Sequence, residues 1–200
     1  SRENQKLAVV SEDSSGNATS ELSLSGDFGH VSLQIDGTVV QVAYSKAGGT
    51  PGSRQLWFCE KNSSWSTAEC ADSSLGTIGG LALVAMNGNP RVAYAVNGVL
   101  RLASKSGSTW AIEDVDAAHD ADGPVCFTTE VDGNLWFSYW DRAGESVRIL
   151  KRDLAPPARI ANLSAVCDPD NQPNGIILTW TATADDSSFA TSGAAAQYEV

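Results

Sequence analysis

The chain holds two histidines, four cysteines and 24 acidic residues, the side chains that could do chemistry. His30 opens an apolar stretch and His119 sits in an acidic one. Neither is accompanied by a nucleophile motif such as G-x-S-x-G, so no Ser–His or Cys–His pair is legible. Cys59, Cys70, Cys126 and Cys167 form no C-x-x-C and no Cys/His cluster, which argues against zinc. Asp114, Asp116, Asp120 and Asp122 crowd one short stretch that ends in Gly123. Asp120-Ala121-Asp122-Gly123 matches the later part of a D-x-D-x-D-G calcium loop, but the first ligand position is Ala118, whose side chain has no oxygen to offer. Asp120 and Asp122 are therefore weak calcium candidates. Asp168-Pro169-Asp170-Asn171 and Asp185-Asp186 are weaker. Glycosidase carboxylate pairs are assembled in space, so spacing alone does not reveal them. No catalytic residue and no cofactor is assigned. Asn17, Asn62 and Asn162 fit the glycosylation pattern N-x-S/T.

Composition narrows the partners. The net charge is −11, opposite to what a phosphate-binding surface needs, so nucleic acid is excluded as a partner. Hydrophobic residues make up 42% and include six Trp, enough for a buried core. No apolar run approaches the ~20 residues of a membrane-spanning helix. The chain opens Ser1-Arg2-Glu3 with no initiator Met, which is expected of a processed protein or of a piece of a longer one.

The elements that would position these residues are short strands. Residues 79–116 read as four of them, 81–86, 90–95, 99–104 and 110–115, separated by Asn-Gly or Ser-Gly turns that reach positive φ cheaply. The unit recurs. DGTVVQVAY, NGNPRVAY and DGNLWFSY end at Tyr44, Tyr94 and Tyr139, 50 and 45 residues apart. Apolar strands precede each turn at 31–35, 81–86 and 125–131. The outer halves align as well: residues 55–70 match 99–115, with Leu56 on Leu100, Phe58 on Leu102 and Trp65 on Trp110. Residues 6–11 and 19–24 read as the outer two strands of a preceding unit, and 146–152 as a third strand. Pro156-Pro157 then ends the pattern, having no amide hydrogens to give a ladder.

A period in the forties with four strands per unit is the arithmetic of a β-propeller blade. The pattern G-N-x-x-x-x-Y, N-G-x-L-x-x-A, G-x-x-W-x-x-E resembles the propeller repeats of secreted bacterial proteins. Residues 1–153 would then form a partial β-propeller of about three blades, cropped on its N-terminal side because three blades cannot close a ring. A β-sandwich built from the same hairpins is the alternative. Ala103–Trp110 is also similar to the Asp-box hairpin of sialidase blades, S-x-D-x-G-x-x-W, but Ala103 and Lys105 replace its Ser and Asp, so only hairpin geometry is shared. Residues 154–200 change character. Pro156-Pro157, the run RIANLSA at 159–165, GIILTW at 175–180 and Tyr198-Glu199-Val200 resemble the N-terminal half of a fibronectin type III domain. Ile176, Leu178 and Trp180 alternate as one inward face.

These resemblances imply an all-β chain that is secreted or displayed at the cell surface. Cys59 and Cys70 flank one hairpin turn, and the repeat matches them to Ala103 and Val115. They are expected either to form a disulfide, favoured in a secreted protein, or to stay as two buried thiols. The function implied is a non-catalytic binding or scaffold segment of a larger protein, with protein or glycan contacts. The alternative is an accessory part of a secreted hydrolase whose active site lies elsewhere in the parent chain. Trp65/Trp110 and Tyr44/Tyr94/Tyr139 recur and read as framework. Trp57, Trp136 and Trp140 are the better contact candidates. Because the chain stops inside the third strand of the type III pattern, limited proteolysis is expected to cut beyond Pro157 before residues 79–116. Equal resistance of the two regions would contradict the half-domain reading.

Overall fold

In the computed structural model the described residues are 5–86, 88–130, 133–153, 164–167 and 176–179. The elements are fourteen strands, and no helix occurs among the described residues. In chain order they are β1 (Gln5–Glu12), β2 (Ala18–Gly26), β3 (Phe28–Asp36), β4 (Val39–Ala47), β5 (Arg54–Lys61), β6 (Glu69–Gly76), β7 (Ile78–Met86), β8 (Asn89–Val96), β9 (Gly98–Ser106), β10 (Thr109–Thr129), β11 (Leu135–Asp141), β12 (Ser146–Arg152), β13 (Ser164–Cys167) and β14 (Ile176–Thr179). The all-β expectation therefore holds.

The strands pair antiparallel in chain order: a hairpin β1–β2, a four-stranded sheet β3–β4–β5–β6, a six-stranded sheet from β7 to β12, and a hairpin β13–β14. The turns carry the residues that the sequence analysis named. Asn97 (φ 51°) and Gly98 (φ 83°) both take the left-handed region in the two-residue link of β8 to β9, as a mirror-image hairpin turn requires. By contacts the chain divides into one unit of Ser1–Thr129 with Leu135–Lys151, and a second of Glu130–Asn134 with Arg152–Val200. In the second unit, β13 pairs with β14 from Ser164↔Thr179 to Cys167↔Ile176. The described strand thus overlaps only the end of the expected 159–165 run. The remainder of the expectation for 154–200 lies outside the described residues.

One reading needs correction. The strands read at 110–115 and 125–131 imply a loop at the acidic stretch between them. That stretch lies instead inside β10, a 21-residue strand that serves two neighbours. Its first part, 109–116, pairs with β9, and its second part pairs with β11 from Ala121↔Asp141 to Thr129↔Leu135. Register shifts at Asp114/Asp116, Asp116/Ala121 and Asp122/Cys126 absorb the change of partner. Bulges let a strand bend without ending.

Packing repeats with the sequence. Ala43, Leu56, Phe58 and Ala71 of β4–β6 bury against Leu81, Leu83, Val92, Tyr94 and Val96 of β7–β8. Ala93, Ala95, Leu100 and Leu102 of β8–β9 bury in turn against Val125, Phe127, Leu135, Phe137 and Tyr139. Tyr44, Val42 and Cys59 pack under Leu7, Val9, Leu22 and Leu24 of the β1–β2 hairpin. That hairpin leaves the edge strand β3 open: Val31, Leu33 and Ile35 are 53%, 49% and 58% exposed, where Leu81 and Leu83 are 8% and 4%.

The three tyrosines of the repeat are all buried. Tyr94 donates to Asp72 Oδ2 at 2.5 Å and Tyr139 to Asp116 Oδ2 at 2.6 Å. Tyr44 packs beside Leu24 and Phe28. Removing a phenol that faces a buried carboxylate leaves a charge short of a donor, whereas Tyr44 has no carboxylate partner among the described residues. Tyr94→Phe and Tyr139→Phe are each expected to destabilise by about 1–3 kcal/mol, and Tyr44→Phe by less. Urea unfolding of the three variants tests the ranking; equal losses would contradict the assignment.

Candidate functional site

The aspartates that meet Tyr94 and Tyr139 are aimed by backbone irregularities. In β6 the register breaks between Leu56↔Asp72 and Trp57↔Cys70. In β10 it breaks in the same way between Asp116↔Leu100 and Asp114↔Arg101. A bulge puts two successive side chains on one side of the sheet. Ala71 and Val115 enter the cores, and Asp72 and Asp116 beside them reach Tyr94 and Tyr139. Each aspartate also caps its own bend, accepting the amide of Ser74 (2.8 Å) or Ala118 (3.0 Å).

The electrostatics follow from this geometry. Burial alone would raise both carboxyls. The Tyr94 hydroxyl, the Ser74 amide and the Arg101 charge outweigh it at Asp72, as do Tyr139, His119 and the Ala118 amide at Asp116, so both lie below the usual carboxylate range. Tyr94 and Tyr139 are pushed up, first by burial and then by the carboxylate each bonds. Burial also lifts Tyr44 to about 12, with Cys59 and Cys70 adding to it. Arg101 closes the first cluster, with Nη1 at 3.6 Å from Asp72 and Nε at 2.8 Å from Asp114. His119 closes the second, its Nδ1 at 3.0 Å from both oxygens of Asp116. His119, which the sequence places in an acidic stretch, has its ring held by a buried carboxylate. His30 is exposed, and its amide bonds Ser45 Oγ.

A second staple recurs at the outer strands. Lys105 Nζ pairs with Glu69 (2.6 Å) and lies 5.0 Å from the Phe58 ring. Trp110 Nε1 donates to the same Glu69, and its ring meets Phe58 edge-on at 5.3 Å. One repeat earlier, Lys61 pairs with Glu21. Lys105, which replaces the Asp of the Asp-box pattern, thus ties its hairpin to the preceding strand β6.

The disulfide expectation is overturned. Cys59, Cys70 and Cys126 are free thiols. Trp57, not Cys59, stands opposite Cys70. Cys59 is therefore a diagonal neighbour two residues away, beyond the Cβ separation of about 4 Å that a disulfide needs. The sequence alignment placed Cys70 on Val115, but the ladders place it on Asp114, because both lie opposite equivalent residues, Trp57 and Arg101. The extra residue falls in the segment after the isolated Lys61↔Trp65 bridge, ahead of β6. Burial, with Glu60 adding to it, pushes the Cys59 thiol up to about 11.

Asp120 and Asp122 come together with Arg142. Arg142 Nε and Nη2 hold the two oxygens of Asp120 at 2.8 and 3.1 Å, and Nη1 is 3.6 Å from Asp122. Among the described residues no group of three or more His, Cys, Asp or Glu is placed to hold a metal ion. Asp122 and Arg142 line a polar cleft of about 340 Å³ together with Thr77, Asn97, Gly98 and Ala121. Its walls are pinned. Asn97 N donates to Thr77 O (3.2 Å), Thr77 N to Asn97 Oδ1 (2.9 Å) and Arg142 N to Asp120 O (2.8 Å). A Cβ on Gly98 would sit 2.8 Å from Asp120 Oδ1. Sequence reasoning missed Asn97, Thr77 and Arg142, which come from three turn-end positions far apart in the chain.

The aromatic contact candidates divide. Trp57 is half-buried beneath Lys46, and its Nε1 has no hydrogen-bond partner among the described residues. Trp136 lies 5.5 Å from Lys151 Nζ and lines a shallow depression of about 230 Å³ with Cys126, Thr128, Ser138 and Ile149. Trp140 is 37% exposed. No helix among the described residues is long and apolar enough to cross a membrane. Compared with known proteins, the chain matches no family model, and no curated protein matches it.

Two outcomes follow. Asp72 and Asp116 carry depressed pKa values, so their contribution to stability is present above the unfolded carboxyl value and is lost as pH falls below about 4. Tyr44, Tyr94 and Tyr139 carry raised values, so their contribution is lost as pH rises past about 10. Melting temperature against pH should form a dome between those limits, and the double variant Asp72→Asn/Asp116→Asn should flatten its acid side. An unchanged acid limb would contradict the role of the two aspartates. Thiol labelling should modify exposed Cys70 and Cys126 in the native chain, and Cys59 only on unfolding. A Cys59 that stays unreactive after unfolding until reductant is added would restore the bonded alternative.

Proposed function

We propose that this chain is a non-catalytic binding and scaffold segment of a larger secreted or cell-surface protein, built from about three blades of a β-propeller over residues 1–153 and the first half of a fibronectin type III-like domain over 154–200. The observation that carries this reading is the repeated use of the reactive side chains as staples. Asp72 and Asp116 are spent on Tyr94 and Tyr139, and Glu21 and Glu69 on Lys61 and Lys105. A hydrolytic site needs a poised base or nucleophile facing open space and a stabiliser for developing charge. Groups locked to one another between strands serve rigidity instead.

Support for the propeller comes from the order of pairing. β3–β6 is a four-stranded meander, and β7, β8, β9 and the first part of β10 repeat it. The second part of β10 with β11 and β12 begins a further copy. The same apolar positions face the neighbour in each copy. A rigid stack of this kind presents its turns at the two ends of the strands, where a protein or glycan can be held by loops on a fixed scaffold. The polar cleft at Asn97 and Arg142 is such a place.

The test is an activity screen run beside a binding screen. The purified chain, offered glycoside, ester and peptide substrates in parallel with glycan and protein arrays, is expected to bind without turnover. Turnover above buffer that disappears on replacing a single Asp, Glu or His would overturn the reading.

A further inference from the structure

We propose that the cleft between Asn97 and Arg142 is a subsite for one neutral, polyhydroxylated ring, a single uncharged sugar residue of a glycan. The inference rests on the binding-module reading and names the ligand class of that site.

The charge balance comes first. Arg142 is shared by Asp120 and Asp122, so one cation already answers two carboxylates. An anionic ligand would meet those carboxylates. A divalent cation would find both oxygens of Asp120 engaged by the guanidinium and Asp122 Oδ1 engaged by the amide of Gly123 at 2.8 Å. That leaves a single carboxylate oxygen, too few for the six to eight or so ligands of calcium. A neutral ligand disturbs none of these pairs.

The unspent groups come second. Asn97 uses its Oδ1 on the Thr77 amide, which leaves the two Nδ2 hydrogens as donors. The Thr77 hydroxyl has no hydrogen-bond partner among the described residues and can both donate and accept. Arg142 Nη1 has only the long approach to Asp122, whose Oδ2 is an acceptor. Residues that carry donors and residues that carry acceptors thus border one opening. Vicinal hydroxyls, each both donor and acceptor, can meet both.

Size and rigidity come third. About 340 Å³ lies at the small end of ligand sites and suits one ring rather than an extended chain. The backbone bonds of Asn97 and Arg142 hold the walls before any ligand arrives, so little ordering is paid for on binding. Gly98 keeps the floor low, since a side chain there would strike Asp120.

The experiment is an amide NMR titration of the full chain with the methyl glycosides of glucose, galactose, mannose and N-acetylglucosamine. Sialic acid, lysine amide and calcium chloride serve as charged probes. At least one neutral glycoside is expected to shift the amides of Thr77, Asn97, Asp122 and Arg142 saturably, with a Kd of about 1 mM, as a single ring with few contacts would give. Thr77→Val and Asp122→Asn each alter one exposed or half-exposed group and should weaken that affinity by about tenfold at unchanged melting temperature. Thr77→Trp, which fills the mouth, should abolish it. The proposal is overturned if no neutral glycoside moves these amides, or if only a charged probe does. A glycan or protein that binds with its footprint elsewhere overturns this subsite and leaves the binding-module reading standing, whereas turnover in the activity screen overturns that reading itself.

Discussion

A tyrosine hydroxyl donated to a buried aspartate is the interaction on which the stacking depends. Apolar contact between sheets is broad and forgiving, and one repeat could slide along the next at small cost. A phenol and a carboxylate, both shut away from water, favour one alignment, because any other costs the buried carboxylate one of its donors. Tyr94 with Asp72, and Tyr139 with Asp116, therefore fix how β6 lies against β8 and how β10 lies against β11. The bulges in β6 and β10 exist in the same sense: without the extra residue, Asp72 and Asp116 would turn away from the tyrosines they must reach.

The same economy explains why an acidic chain with a net charge of −11 holds together. Its acids are not uniformly spread as a solvating coat. Glu21, Glu69, Asp27, Asp72, Asp116 and Asp120 each meet Lys, Arg, Tyr or His from another strand or another stretch of the chain. Most of these pairs sit at the margins of the sheets, where partial solvation lowers the cost of burying charge while the partner still fixes direction. Where two carboxylates share one cation, as at Arg142, the leftover polarity stays open to the outside.

Much of the fold was legible because strand and turn signals are local. Asn97-Gly98 marked its hairpin, and the Tyr44/Tyr94/Tyr139 repeat marked the second strand of each unit. What escaped was non-local. The clasp carries a signal, since Glu69-x-x-Asp72 and Glu113-x-x-Asp116 recur with a tyrosine 22 and 23 residues further on. An alignment that set Cys70 on Val115 hid it by one position, and the same slip produced the disulfide. Alignment through a turn cannot know where an extra residue is absorbed; here the three residues before β6 take it. The acidic stretch of β10 misled for a related reason. Polar residues without alternation read as a loop, yet backbone pairing on both sides extends the strand through them. The cleft was invisible because Thr77, Asn97 and Arg142 each look like ordinary turn residues until the sheets stack.

The joints between successive units have almost no length. Asp27 alone separates β2 from β3, Thr77 alone separates β6 from β7, and the third joint is no gap at all but the middle of β10. At each joint a backbone carbonyl, from Asp27, Thr77 or Asp120, accepts an amide from Ala47, Asn97 or Arg142. The architecture is therefore unequal in its tolerance of change. Extra residues in the links after β4, β5 or β11 would lengthen surface turns and cost little, since loop closure grows only slowly with length. The same insertion at a joint would have to break a stitch and push two repeats apart. Diversity in such a chain can accumulate only at the ends of its strands, so the places free to acquire new recognition chemistry and the places that hold the stack together are kept separate by construction.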